Sequence, residues 1–234
     1  MSRLSYANLL VVGSVTGGIG REFLNSLKDD PNKQKFWSPP PDALDVTDPV
    51  SIDKFLANHM AMGFGPFQHV FYAAGTKSLG FVGDLDIESI KHTFDVNVFG
   101  FINLLQGLMK IQDSGRICVI TSETSIVPMR ATIGYCSSKA ALAMALKVAS
   151  RELTPKWHIT GIMPTGVEDT PMTNDDIKVT AELRGWTEEA TIEAFNVRPM
   201  GRMVHKDEVA SLARWLLFHS PEAMAGSIVE MRGG

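Results

Sequence analysis

Residues 8–12, NLLVV, form an apolar run that stops at Gly13. An uninterrupted run of this length fits a strand buried on both faces of a parallel sheet. The following segment, GSVTGGIGREFLNSL (13–27), puts its glycines first and then sets Phe23, Leu24 and Leu27 on one side. It reads as a turn followed by a helix. Residues 35–38 read as a short second strand, and the prolines at 39–41 forbid a helix there. DALDVTD (42–48) reads as a further strand end. Asp48 suits an N-cap and Pro49 a first helical position, which opens a helix to about His59. With 42–48 taken as a strand, a full helix between the second and third strands is missing. Strands then follow at 69–73, 116–122, 158–164 and 227–231. A long helical pattern covers 87–109, a helix rich in Ala, Leu, Lys and Met carries Tyr135, and a last helix covers 207–218. Residues at about 166–200 read as an irregular insertion with a helix at 187–195.

Strands alternating with helices imply an α/β fold, a doubly wound parallel sheet with helices on both faces. No repeat, low-complexity tract or linker divides it, so 1–234 reads as one domain. A net charge of −4 gives no basic field for nucleic acid. The N-terminal segment has only a short apolar run before its glycines and predicts neither a signal peptide nor a membrane span. Cys118 and Cys136 lack metal-ligand spacing and read as packing residues, and the six histidines show no metal spacing either. These features predict a soluble, cytoplasmic protein without disulfides or a metal.

The chemistry gathers at strand ends. A glycine turn between a first strand and a helix lets backbone approach a pyrophosphate, and the helix N-terminus favours its charge. Gly13, Ala74, Ser122 and Pro164 all fall at C-terminal strand ends, where ligands of such sheets bind. Tyr135 follows Ser122 by thirteen residues and precedes Lys139 by four, one helical turn. A lysine charge one turn away predicts a phenol held below its usual value of about 10 and suited to proton transfer.

Together these segments resemble the short-chain dehydrogenase/reductase (SDR) family over essentially the whole chain. GSVTGGIG resembles its glycine-rich turn, YAAG at 72–75 its Asn-Asn-Ala-Gly, and VNVFG its segment with the catalytic asparagine, here Asn97. Ser122, Tyr135 and Lys139 match its serine, tyrosine and lysine, and MPTGVEDTPM its nicotinamide-holding stretch. The resemblance implies Asn97, Ser122, Tyr135 and Lys139 as catalytic residues. It implies cofactor contacts from Gly13, Ser14, Thr16, Gly17, Gly18, Ile19 and Gly20 in the turn, and from Ser38, Asp45 and Val46 near the adenosine. It adds Ala73, Ala74, Gly75, Tyr135, Lys139, Pro164, Gly166, Val167 and Thr170 along the nicotinamide side. Three departures stand out. Ser14 replaces a turn glycine and would be strained if its φ were positive. Tyr72 and Ala73 replace two asparagines, and one residue is added between Pro164 and Thr170. Near Ser38 there is neither an acid for a ribose diol nor an arginine for a 2′-phosphate, so both NAD(H) and NADP(H) stay open.

The implied activity is hydride transfer between a nicotinamide cofactor and a small-molecule carbonyl or secondary alcohol, as an alcohol dehydrogenase or carbonyl reductase. Tyr135 would exchange the proton, Lys139 would lower its pKa and hold a ribose hydroxyl, and Ser122 would bind the substrate oxygen. Asn97 would hold a water linking Lys139 to solvent. The alternative is a cofactor-binding regulatory protein of the same fold without redox turnover, which would not need Ser122, Tyr135 and Lys139 together. A sugar-nucleotide epimerase would differ in length and glycine spacing. Elsewhere, Arg130, between Ser122 and Tyr135, is a candidate to meet a substrate carboxylate, with a plain surface residue as the more common reading. Trp186, Phe195 and Met172 offer the insertion an apolar side. Asp175, Asp176, Glu188 and Glu189 read as a solvated face. The surplus Ala, Leu and Met of the Tyr135 helix predicts a homodimer or homotetramer.

Overall fold

A computed structural model describes residues 8–15, 17–28 and 35–234. Six strands form one parallel sheet in the order β2-β1-β3-β4-β5-β6: β1 (Leu9–Val12), β2 (Phe36–Trp37), β3 (His69–Tyr72), β4 (Gly115–Ile120), β5 (Trp157–Pro164) and β6 (Ile228–Met231). The helices are α1 (Gly18–Ser26), α2 (Pro49–Ala61), α3 (Ile87–Phe94), α4 (Gly100–Ile111), α5 (Ile133–Leu153), α6 (Pro171–Arg184), α7 (Glu188–Phe195) and α8 (Lys206–Phe218). This is the doubly wound α/β fold that the alternation of elements predicts.

Strand periodicity divides the core. In β1, Leu10 and Val12 point into the layer that holds Leu56 of α2, Leu108 of α4 and Leu142 of α5. Leu9 and Val11 point the other way, against Phe23 of α1 and Leu216 of α8. Side chains alternate between faces along a strand, so a run buried on both sides must be apolar throughout.

The expected strand at 42–48 is absent. The segment turns instead, because three prolines cannot donate to a ladder and Asp45 bonds locally. Asp45 Oδ1 accepts from Thr47 N at 2.9 Å and from Thr47 Oγ1 at 2.7 Å. The sheet therefore has one strand fewer than expected, and α2 is itself the connection between β2 and β3. Asp48 caps that helix, accepting from Val50 N at 2.9 Å. The second strand shrinks to two residues.

The long helical pattern is interrupted once. Asp95–Phe99 forms a π-helical turn between α3 and α4 and carries Asn97. The insertion is not irregular. It holds α6 as well as α7, and the signals for α6 are present in the chain. Thr170 caps it by accepting from Thr173 N at 3.1 Å, Pro171 takes the first helical position, and Gly185 ends it at a φ of +65°.

Arg116 locks the opposite end of the sheet. Its Nε donates to the Leu217 carbonyl at 2.7 Å, and its Nη2 to Ser220 O at 2.7 Å and Ser220 Oγ at 2.8 Å. It thereby caps the C-terminus of α8 from β4. Arg116→Met should cost about 2–3 kcal/mol in urea unfolding, the scale of lost hydrogen bonds to a charged group. Arg116 lies at the N-terminal end of β4, so the C-terminal strand ends should be unaffected by this change. An unfolding midpoint equal to wild type would show that the helix end holds without this cap.

Candidate active site

The C-terminal strand ends open into one cavity of about 890 Å3, lined from the glycine turn to α6 and α7. The turn is shaped by close backbone approach. Gly13 has a φ of +86°, and a Cβ there would lie 2.5 Å from Ala74 N at the end of β3. A Cβ on Gly17 would lie 2.4 Å from the Gly13 carbonyl oxygen. Side chains at either place would break the turn. Gly17 is the N-cap of α1 and supplies no side chain to it, and the first turn of that helix carries no acid. Gly18, Ile19 and Gly20 line the cavity, so unpaired N–H groups of the first turn face it. A helix end of this kind fits the pyrophosphate of a dinucleotide.

Ser14 is not strained. Its φ is not among the positive values, and its buried hydroxyl bonds to Ser38 Oγ. Neither Ser14 nor Ser38 lines the cavity, in contrast to the expectation that they contact cofactor. Their hydroxyls satisfy each other instead and tie the turn to the residue that follows β2. Pro39, Pro41, Asp45 and Val46 take the cavity wall there. Thr16 lies outside the described residues. Tyr72 faces away from the cavity: its ring is fully buried, and its Oη donates to Val96 O at 3.0 Å.

Asn97 is fully buried in the π-helical turn. Its Oδ1 accepts from Thr76 N at 2.8 Å, and its Nδ2 donates to Thr76 O at 2.8 Å and to Ser138 Oγ at 2.9 Å. The side chain thus holds the loop after β3 against α5. A Cβ on Gly75 would lie 3.4 Å from Asn97 Oδ1 and 3.5 Å from Lys139 Nζ, so the two groups meet there.

Ser122 follows the end of β4 by two residues and caps the short helical turn Glu123–Ser125. Its Oγ accepts from Thr124 N at 3.3 Å and from Thr124 Oγ1 at 3.0 Å, which leaves its own proton to donate. Ser125 Oγ bridges the Ser122 carbonyl at 2.6 Å and the Lys139 carbonyl at 3.1 Å, joining that turn to α5. Tyr135 and Lys139 lie in the first two turns of α5, with Lys139 Nζ 5.9 Å from the centroid of the Tyr135 ring.

Lys139 is buried, and its Nζ donates to Ile120 O at 3.1 Å. Burial lowers its pKa from 10.5 to about 8. The Tyr135 phenol is raised, not lowered. Burial is the main cause; a hydrogen bond with Ser122 opposes it, and the Asp176 charge reinforces it. The sequence-based expectation fails because it weighed the neighbouring ammonium and omitted desolvation, which acts against the charged form of both groups.

On the nicotinamide side, Pro164, Gly166, Val167 and Thr170 line the cavity with Ala73, Ala74 and Gly75. The added residue before Thr170 is absorbed by a left-handed Asp169 at a φ of +56°. Thr170 packs against α1, where a Cβ on Gly18 would lie 2.6 Å from Thr170 Cγ2.

The insertion covers the cavity from the side. Met172 and Phe195 line it as expected, whereas Trp186 does not; its ring lies under the Arg184 guanidinium at 4.9 Å. Arg130 lines the cavity and sits 5.7 Å over the Phe81 ring. Asp176 is misplaced by the sequence reading. It belongs to no solvated face but lines the cavity and pairs with Lys77. Asp175, which stays exposed, lines the cavity as well, and without α6 in view nothing in the chain separates these two acids from Glu188 and Glu189. Glu123 was also missed. It is buried beside Ser122 and binds Arg198 of the insertion and Thr165 Oγ1, the latter at 2.5 Å. Among the described residues no cluster could hold a metal, and no helix is long and apolar enough to cross a membrane.

The family model for short chain dehydrogenase matches residues 27–180. An L-xylulose reductase from Caenorhabditis elegans is 28% identical over 175 residues, covering 72% of this chain and 66% of that protein. Other curated relatives are matched over 44% and 54% of their own length, so the chain aligns with about half to two thirds of such proteins. The solved structure of a short chain dehydrogenase family protein from Francisella tularensis subsp. tularensis SCHU S4 has a TM-score of 0.84 at 25% identity, over 97% of this chain and 98% of that one. An actinorhodin polyketide ketoreductase solved with NADPH gives 0.85 over 100% of this chain and 98% of that one, at 21% identity, and shares the fold. With its family match spanning well over half of the sequence, the chain belongs to the short-chain dehydrogenase family.

Proposed function

We propose that this protein is an NAD(P)(H)-dependent oxidoreductase that interconverts a carbonyl and a secondary alcohol on a small molecule. One observation carries the reading. Ser122, Tyr135 and Lys139 line the same cavity as the glycine turn and the open end of α1. A cofactor-binding regulator without turnover would have no use for a proton donor at that place.

The bound nicotinamide supplies or accepts the hydride, and the chain does the rest. In reduction, Tyr135 gives its proton to the carbonyl oxygen as the carbon gains the hydride, which leaves an alcohol. In oxidation the same phenol accepts the proton. A protonated phenol at neutral pH suits the reductive direction, and burial favours that form. Ser122 has its lone pairs occupied by Thr124, so its hydroxyl donates to the substrate oxygen where charge develops. Lys139 stands beside Gly75 and Asn97 and would hold a ribose hydroxyl. Gly13, Gly17, Gly18, Ile19 and Gly20 would hold the pyrophosphate, Asp45 and Val46 the adenosine, and Pro164 to Thr170 the nicotinamide. The adenosine wall of Pro39, Pro41, Asp45 and Val46 carries one acid, Asp45, whose Oδ1 already accepts from Thr47. Residues 166–200 act as the substrate cap of a single catalytic domain, in the cytoplasm.

Tyr135→Phe keeps the ring and removes the transferable proton. Turnover should fall at least about a hundredfold while cofactor titration stays as in wild type. Near-normal turnover would refute the assignment.

Lys139 gives a pH signature in stability. Its folded pKa of about 8 lies below the unfolded 10.5, so between these values the unfolded chain holds more protons. Wild-type stability should therefore rise across that window. In Lys139→Met the rise should vanish, shifting the difference between the two proteins by up to about 3 kcal/mol in favour of wild type. Parallel pH profiles would show a lysine that stays charged in the folded protein.

The outer face of α5 exposes Met144 and Val148, at 59% and 47%. We read it as the surface on which a second copy packs, giving a homodimer or homotetramer. Light scattering at micromolar concentration should return a multiple of the chain mass, and a monomer would end this reading.

A further inference from the structure

Asn97 clamps Thr76 through both its N–H and its carbonyl, at 2.8 Å each. That fixes where the next residue leaves the loop. Lys77 then reaches from the end of β3 to the cap, donating to the Met172 carbonyl at 2.5 Å and pairing with the Asp176 carboxylate. The Lys77 side chain is only 13% exposed and that of Asp176 29%. Both line the cavity, and the Asp176 charge acts on the Tyr135 phenol. Helix α6 sorts its residues by face. Thr173, Ile177 and Ala181 are buried, and Asp176 and Thr180, one turn apart, line the cavity together with Thr173 and the exposed Asp175.

We infer that Asp176 is a specificity-determining residue, whose carboxylate accepts a hydrogen bond from a hydroxyl on the carbon next to the reacting carbonyl. The inference rests on the reading that Tyr135 protonates a carbonyl in this cavity. A carboxylate is an acceptor only and has lone pairs beyond those taken by one ammonium. Lys77 holds it in place and also donates to the Met172 carbonyl. A carboxylate fixed in a part-buried wall attracts a neutral donor. The substrate class that follows is the α-hydroxy ketone, including ketoses, in preference to plain ketones. Thr180 stands one turn further along the same wall to meet a second hydroxyl.

Two small probes separate the outcomes: acetoin and butanone, each followed by cofactor absorbance. Wild type should favour acetoin over butanone at least about tenfold in kcat/KM, the scale of one hydrogen bond to a charged acceptor. Asp176→Asn keeps the shape and a bond to Lys77 but loses the charge. It should lose most of the acetoin preference, read as the ratio of the two kcat/KM values, whatever the change in absolute rate. Asp176→Ala should abolish the preference. An equal loss on acetoin and butanone in both variants, with the ratio kept, would show a merely structural role and overturn the inference. A wild-type protein without the acetoin preference would overturn it too. Butanone turnover that depends on Tyr135 but shows no acetoin preference defeats the inference and spares the activity. Inertness toward every carbonyl probe defeats both.

Discussion

The site depends on one buried amide. Asn97 makes three hydrogen bonds from a fully buried position, two to the backbone of Thr76 and one to Ser138. Ser138 Oγ passes the constraint on by donating to the Tyr135 carbonyl at 2.8 Å. The loop after β3, the turn between α3 and α4, and the first turns of α5 are thereby fixed to one another. A buried amide with a missing partner would be expensive, so the three segments move together or not at all. The π-helical turn is what makes this possible. An inserted residue re-aims the side chain out of the helical ladder and into the loop, a common use of such turns at functional sites.

Much of the fold was legible in the chain because its signals are local. The apolar runs at β1, β4 and β5 and the Asp48-Pro49 start of α2 need no tertiary information. The departures have equally local causes. Residues 42–48 carry a strand-like Leu-Asp-Val, but Asp45 finds its partner two residues away, at Thr47, and the prolines before it cannot pair. Helix α6 was hidden by its composition. Its polar residues suggest a loop, yet Thr170-Pro171 and Gly185 bracket it as clearly as any helix in the chain. Losing α6 also lost Asp175 and Asp176, since it is the helix that brings these acids to the cavity wall.

The catalytic candidates were legible by spacing, but their electrostatics were not. Spacing says that Tyr135 and Lys139 share a face. It says nothing of how much water either group keeps. In the fold both sit behind the strand ends, where desolvation penalises a phenolate and an ammonium alike. Burial thus favours the protonated phenol and weakens the nearby cation.

That arrangement bears on what a dinucleotide would change. Helix α1 turns its open N-terminus toward the cavity, and its partial positive charge favours an anion there. Among the described residues Lys139, with Gly75 and Asn97 beside it, has one hydrogen bond, to the Ile120 carbonyl, for three donor protons. A diol placed at that point would give the ammonium neutral acceptors and restore part of the solvation that burial removed. The lysine would then hold its charge more firmly, and that charge acts on the phenol in the direction that eases proton release. Asp176 pulls the opposite way from the far wall. The phenol would then lie between a cation strengthened on one side and an anion paired with Lys77 on the other. A substrate hydroxyl on that carboxylate would blunt the second without touching the first, coupling substrate recognition to the acidity of Tyr135.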